Sequence, residues 1–373
     1  MEVTIFEKSK KVLTKVEVSG GGRCNCTNSF ASVGDLSQVY PRGHRLMKRL
    51  FKTFDYRDAY AWFERHGVRL VTQDDGCVFP ASQDSHTIIN LFLAEARRHG
   101  IEIRTQSKIS SLDELVDYDY IAITTGGCTK GACTMVPDPF VQPVPSLFTF
   151  SIADEALMAL MGTVVEEATV MIPATNFRAT GPLLITHWGM SGPAILKLSS
   201  YAARGLHDHN YQMPLSVNWT SRKAPEILEE IQRIIDAHPQ KQLGSIRPFD
   251  LPSRLWDYLL TKTLGERAQN RWLNLSKKEQ NRLVNTLCND TYQIAGRAAF
   301  KDEFVTCGGI DLAAVDPNIL ESKHRPYVYF AGEVLDIDGI TGGFNFQAAW
   351  TTAYTVAQAI SKAQGSSVHT CTT

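Results

Sequence analysis

No apolar run in this chain approaches the roughly 18 residues that a membrane-crossing helix needs, so no membrane span is expected. An excess of one charge is missing too: 38 Lys and Arg face 39 Asp and Glu, for a formal net charge of -1. That balance supplies no electrostatic reason to expect nucleic acid or an anionic membrane as partner. The eight cysteines are scattered, with no Cys-x-x-Cys pair and no Cys/His block at zinc spacing. Cys24-Asn25-Cys26 is too tight for a usual structural metal pair, so no metal is expected and the thiols are read as reduced. The N-terminus is neither basic nor followed by a signal-like apolar region, which makes a cytoplasmic location the default expectation. No Gly-x-Ser-x-Gly elbow is present, which argues against a hydrolase despite the nearby His187 and Ser191. A Gly-x-Gly-x-x-Gly turn is also absent.

What remains is an ordinary globular composition, 43% hydrophobic and 21% charged, over 373 residues. That length suggests about two or three domains. Glu2–Glu7 reads as a strand ending in an acid, and Arg42–Gly67 and Ser85–His99 carry helical periodicity. Ile101–Arg104 and Tyr120–Thr124 read as strands, so strand and helix alternate as in a parallel α/β sheet. Pro137, Pro139, Pro143 and Pro145 then crowd a short stretch suited to a domain crossing. Strand-like runs follow at Leu147–Ile152, Ala168–Ile172, Pro182–Thr186 and Gln212–Trp219. A helix-forming segment runs from Lys223 to about Ile294. Strand character returns at Tyr327–Ala331. This predicts an α/β domain built from both chain ends, residues 1–146 and 303–373, around a β-barrel-like plus helical insertion at 147–302.

Three segments carry the chemistry. The loop Ser19–Asn28 has three successive glycines, whose amides can form an anion-binding nest. Gly21, Gly22, Arg23 and Asn25 are its candidate ligands, with Arg23 adding a charge suited to pyrophosphate or carboxylate. Thr124-Thr125-Gly126-Gly127 ends a strand in small residues that let a nucleotide come close. The third runs from Tyr329 to Trp350: a strand enters a turn at Gly332-Glu333, passes an acidic loop with Asp336 and Asp338, and opens a helix at Gly342-Gly343. The carboxylates can bind ribityl hydroxyls. The helix start (Gly342, Gly343, Phe344, Asn345) points a positive dipole at the N1–C2=O edge of a flavin. The rings of Phe344, Phe346 and Trp350 are themselves expected in the core. Glu7, followed by Lys8, sits where a dinucleotide-binding unit accepts a ribose hydroxyl pair. In Gly181–Leu196, Ser191 is a candidate N-cap and His187 a candidate proton donor.

Val3–Lys8, Ser19–Asn25, Gly181–Pro193 and Phe330–Asn345, taken in order, resemble the BaiN/YhiN-like group of bacterial flavoproteins. This group is also described as aminoacetone-oxidase-like NAD(P)/FAD-dependent oxidoreductases. The resemblance implies a discontinuous Rossmann-like FAD domain, an inserted barrel-like domain and a helical module. It implies FAD bound through the positions of Glu7, Arg23, Asn25, Gly332, Glu333, Gly343 and Asn345. It also implies reduction of a conjugated or steroid-like double bond, or amine oxidation. Two departures stand out. The chain begins at the family's second strand, without the first strand and its glycine turn, so an N-terminally truncated chain is expected. The lost strand would lie in mid-sheet. Cys128–Pro137 also replaces the stretch that members carry after Thr-Gly-Gly.

The reading is a flavin-dependent oxidoreductase passing hydride through FAD N5 to or from a small-molecule substrate. NAD(P)H would dock transiently as reductant, because no second dinucleotide fingerprint exists. The alternative is a flavin-poor, non-catalytic scaffold or interaction module.

Overall fold

The structure, a computed structural model, describes residues 1–127, 135–136, 138–297 and 305–368. The departing stretch after Gly127 falls on residues 128–134 and 137, outside that set. The chain divides into two compact units, residues 1–145 with 300–373, and residues 146–299.

In the first unit, short β-branched runs form parallel pairs. Thr4–Phe6 lies beside Glu102–Arg104, and Val328–Phe330 beside Ile121–Ile123. Alternation in the sequence predicts one parallel sheet. The structure instead holds two separate two-stranded pairs, with no described strand joining them into one ladder. A three-stranded antiparallel sheet is ordered Thr27–Asn28, Cys77–Pro80, Leu70–Thr72, and Phe140–Ser146 pairs with Val305–Ile310.

The expected Arg42–Gly67 helix is two helices, His44–Leu50 and Tyr56–Arg65. Asp55 divides them: its carboxylate accepts from the Arg57 and Asp58 amides, and Asp58 reaches back to the Asp55 amide. This capping box starts a new helix rather than continuing the old one. His86–Arg98 turns Ile88, Ile89 and Leu91 inward, into one core with Phe63, Val68, Leu70 and Val78. The C-terminal helix, Phe344–Val368, lays Trp350 on Phe92 and Phe63 in the same core.

The second unit is a closed antiparallel barrel. Its strands run in the order Arg178–Thr186, Gly189–Ser191, Phe150–Ile152, Asp290–Arg297, Pro214–Asn218, Val164–Met171. Phe150, Ile152, Val165, Val170, Leu183, Ile185, Met190, Leu215, Val217 and Ile294 are all buried, as alternate residues of a small closed sheet must be. Ser191 is not a helix cap: it ends a strand, and Gly192 (φ 93°) takes the N-cap of Pro193–Tyr201 with no side-chain cap. The hairpin back from Thr186 uses Ser191 as a ladder partner of Leu184, which removes it from capping.

The helices that accompany the barrel include Ala224–Ala237, Ser253–Leu264 and Lys277–Asn289. Trp256 and Trp272, both fully buried, stack with centroids 6.2 Å apart. Asp290 ties helices to barrel by accepting from Trp219 Nε1 at 3.0 Å and Lys262 Nζ at 2.7 Å. Among the described residues no helix is long and apolar enough to cross a membrane, and no group of three or more His, Cys, Asp or Glu is placed to hold a metal ion.

Candidate cofactor site

The Ser19–Asn28 loop and the start of the C-terminal helix form one clasp. The helical stretch from Thr14 breaks at Ser19 (ψ 148°), and Gly20, Gly21 and Gly22 all take positive φ, 57°, 67° and 83°. A Cβ on Gly21 or Gly22 would meet nothing within 4 Å, so their backbone faces open space. Arg23 is held beside them, its guanidinium 4.2 Å from the Phe79 ring centroid and its Nε donating to Gly20 O at 3.2 Å. Asn28 Nδ2 donates to Gly342 O at 3.0 Å. The Asn25 carboxamide oxygen accepts from Val78 N at 3.3 Å.

Gly343 is where the two halves touch. A Cβ there would lie 2.3 Å from Thr27 O and 2.7 Å from Asn25 Oδ1, at a φ of 89°. Only glycine permits that approach. Immediately beyond, the helix presents first-turn amides that have no intrahelical acceptor.

A second cluster forms around Glu333. Its Oε1 accepts from Thr306 N at 2.8 Å, and a Cβ on Gly126 would meet only Glu333 Oε2, at 4.0 Å. A Cβ on Gly127 would lie 2.1 Å from Thr306 Oγ1, so that glycine is packed rather than open. Gly332 N donates to Thr352 Oγ1 at 2.9 Å, which fixes this turn to the C-terminal helix. Open glycine backbone, a carboxylate, a helix N-terminus and an anchored arginine match the polyol and pyrophosphate of a flavin dinucleotide. The residues present fit that group.

Other candidates are placed differently. Asn345 spends both ends of its amide on Gly339, accepting from its N at 2.8 Å and donating to its O at 2.9 Å. Phe344 is buried, edge-on to Phe30 and Tyr40. Asp336 is held through its own amide, which donates to Ile310 O. Glu7 is half-buried and caps a local turn, accepting from Ser9 N at 2.7 Å, while Lys8 is exposed. His187 lies in the second unit, exposed on the turn between Thr186 and Gly189, with its ring edge-on to Trp188.

Several contributors carry no signal in the sequence. Buried Tyr40 donates to Phe344 O at 2.8 Å. Thr27 donates to Gln347 Oε1 at 2.6 Å, and Gln347 donates on to Thr351 Oγ1, a fully satisfied buried chain. Trp350 Nε1 donates to Cys26 O at 2.8 Å. The buried Cys24 and Cys26 sulfurs lie 3.8 Å apart. The hydrogen bond from Cys26 lowers the Cys24 pKa, while Cys24 and burial push that of Cys26 upward. Burial pushes Cys77 up to about 11.

A Rossmann-type unit split around an inserted barrel, with glycine-opened backbone facing a helix N-terminus, defines a flavin oxidoreductase architecture. The chain belongs to the HI0933-like family, whose Rossmann-domain model matches residues 1–359. It is 28% identical to the ribosomal RNA dihydrouridine synthase of Escherichia coli (strain K12), across 98% of this chain and 93% of that protein. The protein of the same name from Haemophilus influenzae is 26% identical, across 96% and 92%. A 3-dehydro-bile acid delta(4,6)-reductase from Clostridium scindens is 24% identical, across 96% and 92%.

Proposed function

We propose that this protein is a flavin-dependent reductase of a carbon–carbon double bond conjugated to a carbonyl. The observation that carries the reading is the clasp in which Gly343 seats the C-terminal helix start against Thr27 and Asn25. The relatives' names supply the substrate chemistry. One names the saturation of a uridine ring, the other the reduction of double bonds in a 3-dehydro bile acid. In both, an electron-poor alkene beside a carbonyl gains a hydride and a proton.

When bound, FAD supplies the hydride chemistry, recharged by transient NAD(P)H. The chain's own residues do the rest. Glu333 and the open backbone at Gly126 hold ribityl hydroxyls, with Gly332 setting the turn that presents Glu333. Gly21, Gly22 and Arg23 hold the pyrophosphate, and Glu7 a ribose. The helix start at Gly342-Gly343 stabilises negative charge on the isoalloxazine edge. His187, exposed on its turn in the second unit, is the candidate proton donor.

The test is anaerobic. Flavin-loaded protein is reduced and mixed with a conjugated 3-oxo steroid, with uridine-containing RNA, or with nothing, and flavin reoxidation is followed by visible absorbance. Reoxidation by an alkene, with matching loss of that alkene, is the expected result. Bleaching of the oxidised flavin by a primary amine, with no alkene reduced, overturns the reading in favour of amine oxidation. A protein that holds no flavin through gel filtration is a scaffold instead.

A further inference from the structure

The inserted unit carries a basic cleft that the flavin chemistry does not use. Its volume is about 750 Å³, and it lies between the Ser253–Leu264 and Lys277–Asn289 helices. Lys262, Lys277, Lys278 and Arg282 line it together with Asn281 and Asn285, and no carboxylate does. Positions 277, 278, 281, 282 and 285 recur at helical spacing, so one face of a 13-residue helix points this set outward. Its other face is buried through Leu283, Val284 and Leu287.

A solvated helix face normally mixes signs. Here the one acid of the first turn, Glu279, is turned inward and held by Arg267 and Ser276. Lys262 is fixed against Asp290 and over the Tyr292 ring at 3.9 Å. Lys277, Lys278 and Arg282 have no carboxylate partner among the described residues. The helix N-terminus adds its own positive end beside Lys277 and Lys278. All this sits in a chain whose formal net charge is -1, so a global balance hides a local field.

We infer that this cleft binds the phosphate backbone of a folded RNA, the carrier of the base to be reduced; the inference rests on the reductase reading above. The set extends over about eight residues of helix, about 12 Å, which suits a run of phosphates rather than one free anion. The Asn281 and Asn285 amides, set among cations, can both donate to phosphate and pair with sugar hydroxyls. No apolar side chain lines the cleft, which disfavours a lipid surface, since surface-bound helices insert apolar residues.

The experiment uses the full flavin-loaded protein, a fluorescently labelled RNA stem-loop and anisotropy titrations between about 50 and 200 mM salt. Lys277→Gln/Lys278→Gln/Arg282→Gln and the corresponding triple Glu variant are compared with wild type, with flavin content and reduction of a free conjugated ketone as controls. Affinity is expected to fall at least tenfold in the Gln variant and further in the Glu variant. The log–log salt slope should become shallower by about 2 to 3, one phosphate contact per cation lost. Unchanged affinity and slope in both variants overturn the inference. So does Lys277-dependent binding to phosphatidylserine vesicles without binding to RNA. If RNA binds with this slope but neither alkene is reduced, the reductase reading fails and the cleft stands. If the ketone is reduced and the slope never moves, the cleft alone fails.

Discussion

Arg42 and Asp338 meet across 296 residues of sequence in a two-pronged ion pair, Arg42 Nε donating to Asp338 Oδ1 at 2.6 Å and Nη2 to Oδ2. The Asp338 carboxylate is fully buried, and only 17% of the Arg42 side chain is exposed. Burial works against the guanidinium's charge, yet Asp338 outweighs it and leaves the Arg42 pKa raised. The pair pins the acidic loop, and hence the helix start, to the N-terminal half. Arg42→Met strands a buried charge and should destabilise the first unit by about 3–5 kcal/mol. Arg42→Met/Asp338→Leu should recover much of that loss. Chemical denaturation of the two variants checks both; equal stability of the single variant and wild type would remove the pair from the site's support.

Gly343→Ala places a methyl 2.3 Å from Thr27 O, at a φ that L residues resist. The strain alone costs about 1–3 kcal/mol, and the backbone clash adds to it. Flavin content after gel filtration should fall to near zero while the barrel unit's far-UV signal survives. Gly22→Ala, in open space but also at positive φ, is the milder companion.

Glu333→Gln keeps an acceptor for Thr306 N but removes the negative charge. Flavin affinity should drop about tenfold or less, the loss of one charge-assisted hydrogen bond. Glu333→Ala should lose more, because the Thr306 amide is stranded too. Fluorescence titration with FAD ranks the three.

The Glu279 carboxylate has a pKa lowered to about 2, by the Ser276 hydroxyl, the Arg267 guanidinium and the Ser276 amide. A depressed folded-state pKa means stability present above the ordinary value of 4.5 and lost as pH falls towards 2. Glu279→Gln should therefore melt several degrees below wild type at pH 6. The two should converge as pH approaches 2. The Gln amide keeps the capping box with Ser276, so what is lost is the charge, about 1 kcal/mol. Melting curves of the two proteins at pH 6, 4 and 2.5 check the sign.

His187→Asn should leave flavin binding intact and lower kcat for alkene reduction by about 10²–10⁴. Unchanged turnover would return His187 to an ordinary surface role.

Elements with a strong local pattern are legible in the sequence. The strand into Gly332, the helix opening at Gly343, four of the six barrel strands and the Ser85–His99 helix lie within a few residues of where periodicity and breakers put them, whereas Gly189–Ser191 reads as a turn and Asp290–Arg297 as the end of the helical segment. Pairing at a distance is not legible. Nothing in Tyr40 announces that its hydroxyl ends on Phe344, nor in Thr27 that it meets Gln347. Such contacts depend on how the chain folds back, not on neighbours in sequence. The Asp55 boundary has a local signal, since Asp followed three residues later by Asp58 is a weak capping pattern, but the helical periodicity around it is stronger. Asn345 stands out in its motif, though its amide serves the Gly339 turn.

The clasp also has a history in time. Its bonds link residues 296, 304 and 320 positions apart, so no cofactor pocket exists until the ribosome has passed residue 347. By then every strand of the barrel has already been translated. Chains generally fold in the order they emerge, one unit after another. Thr27, Tyr40 and Arg42 must therefore wait, their partners not yet synthesised, through the birth of an entire second unit. A nascent chain stalled before Asp338 would carry every strand of the barrel and a first half without its closing contacts.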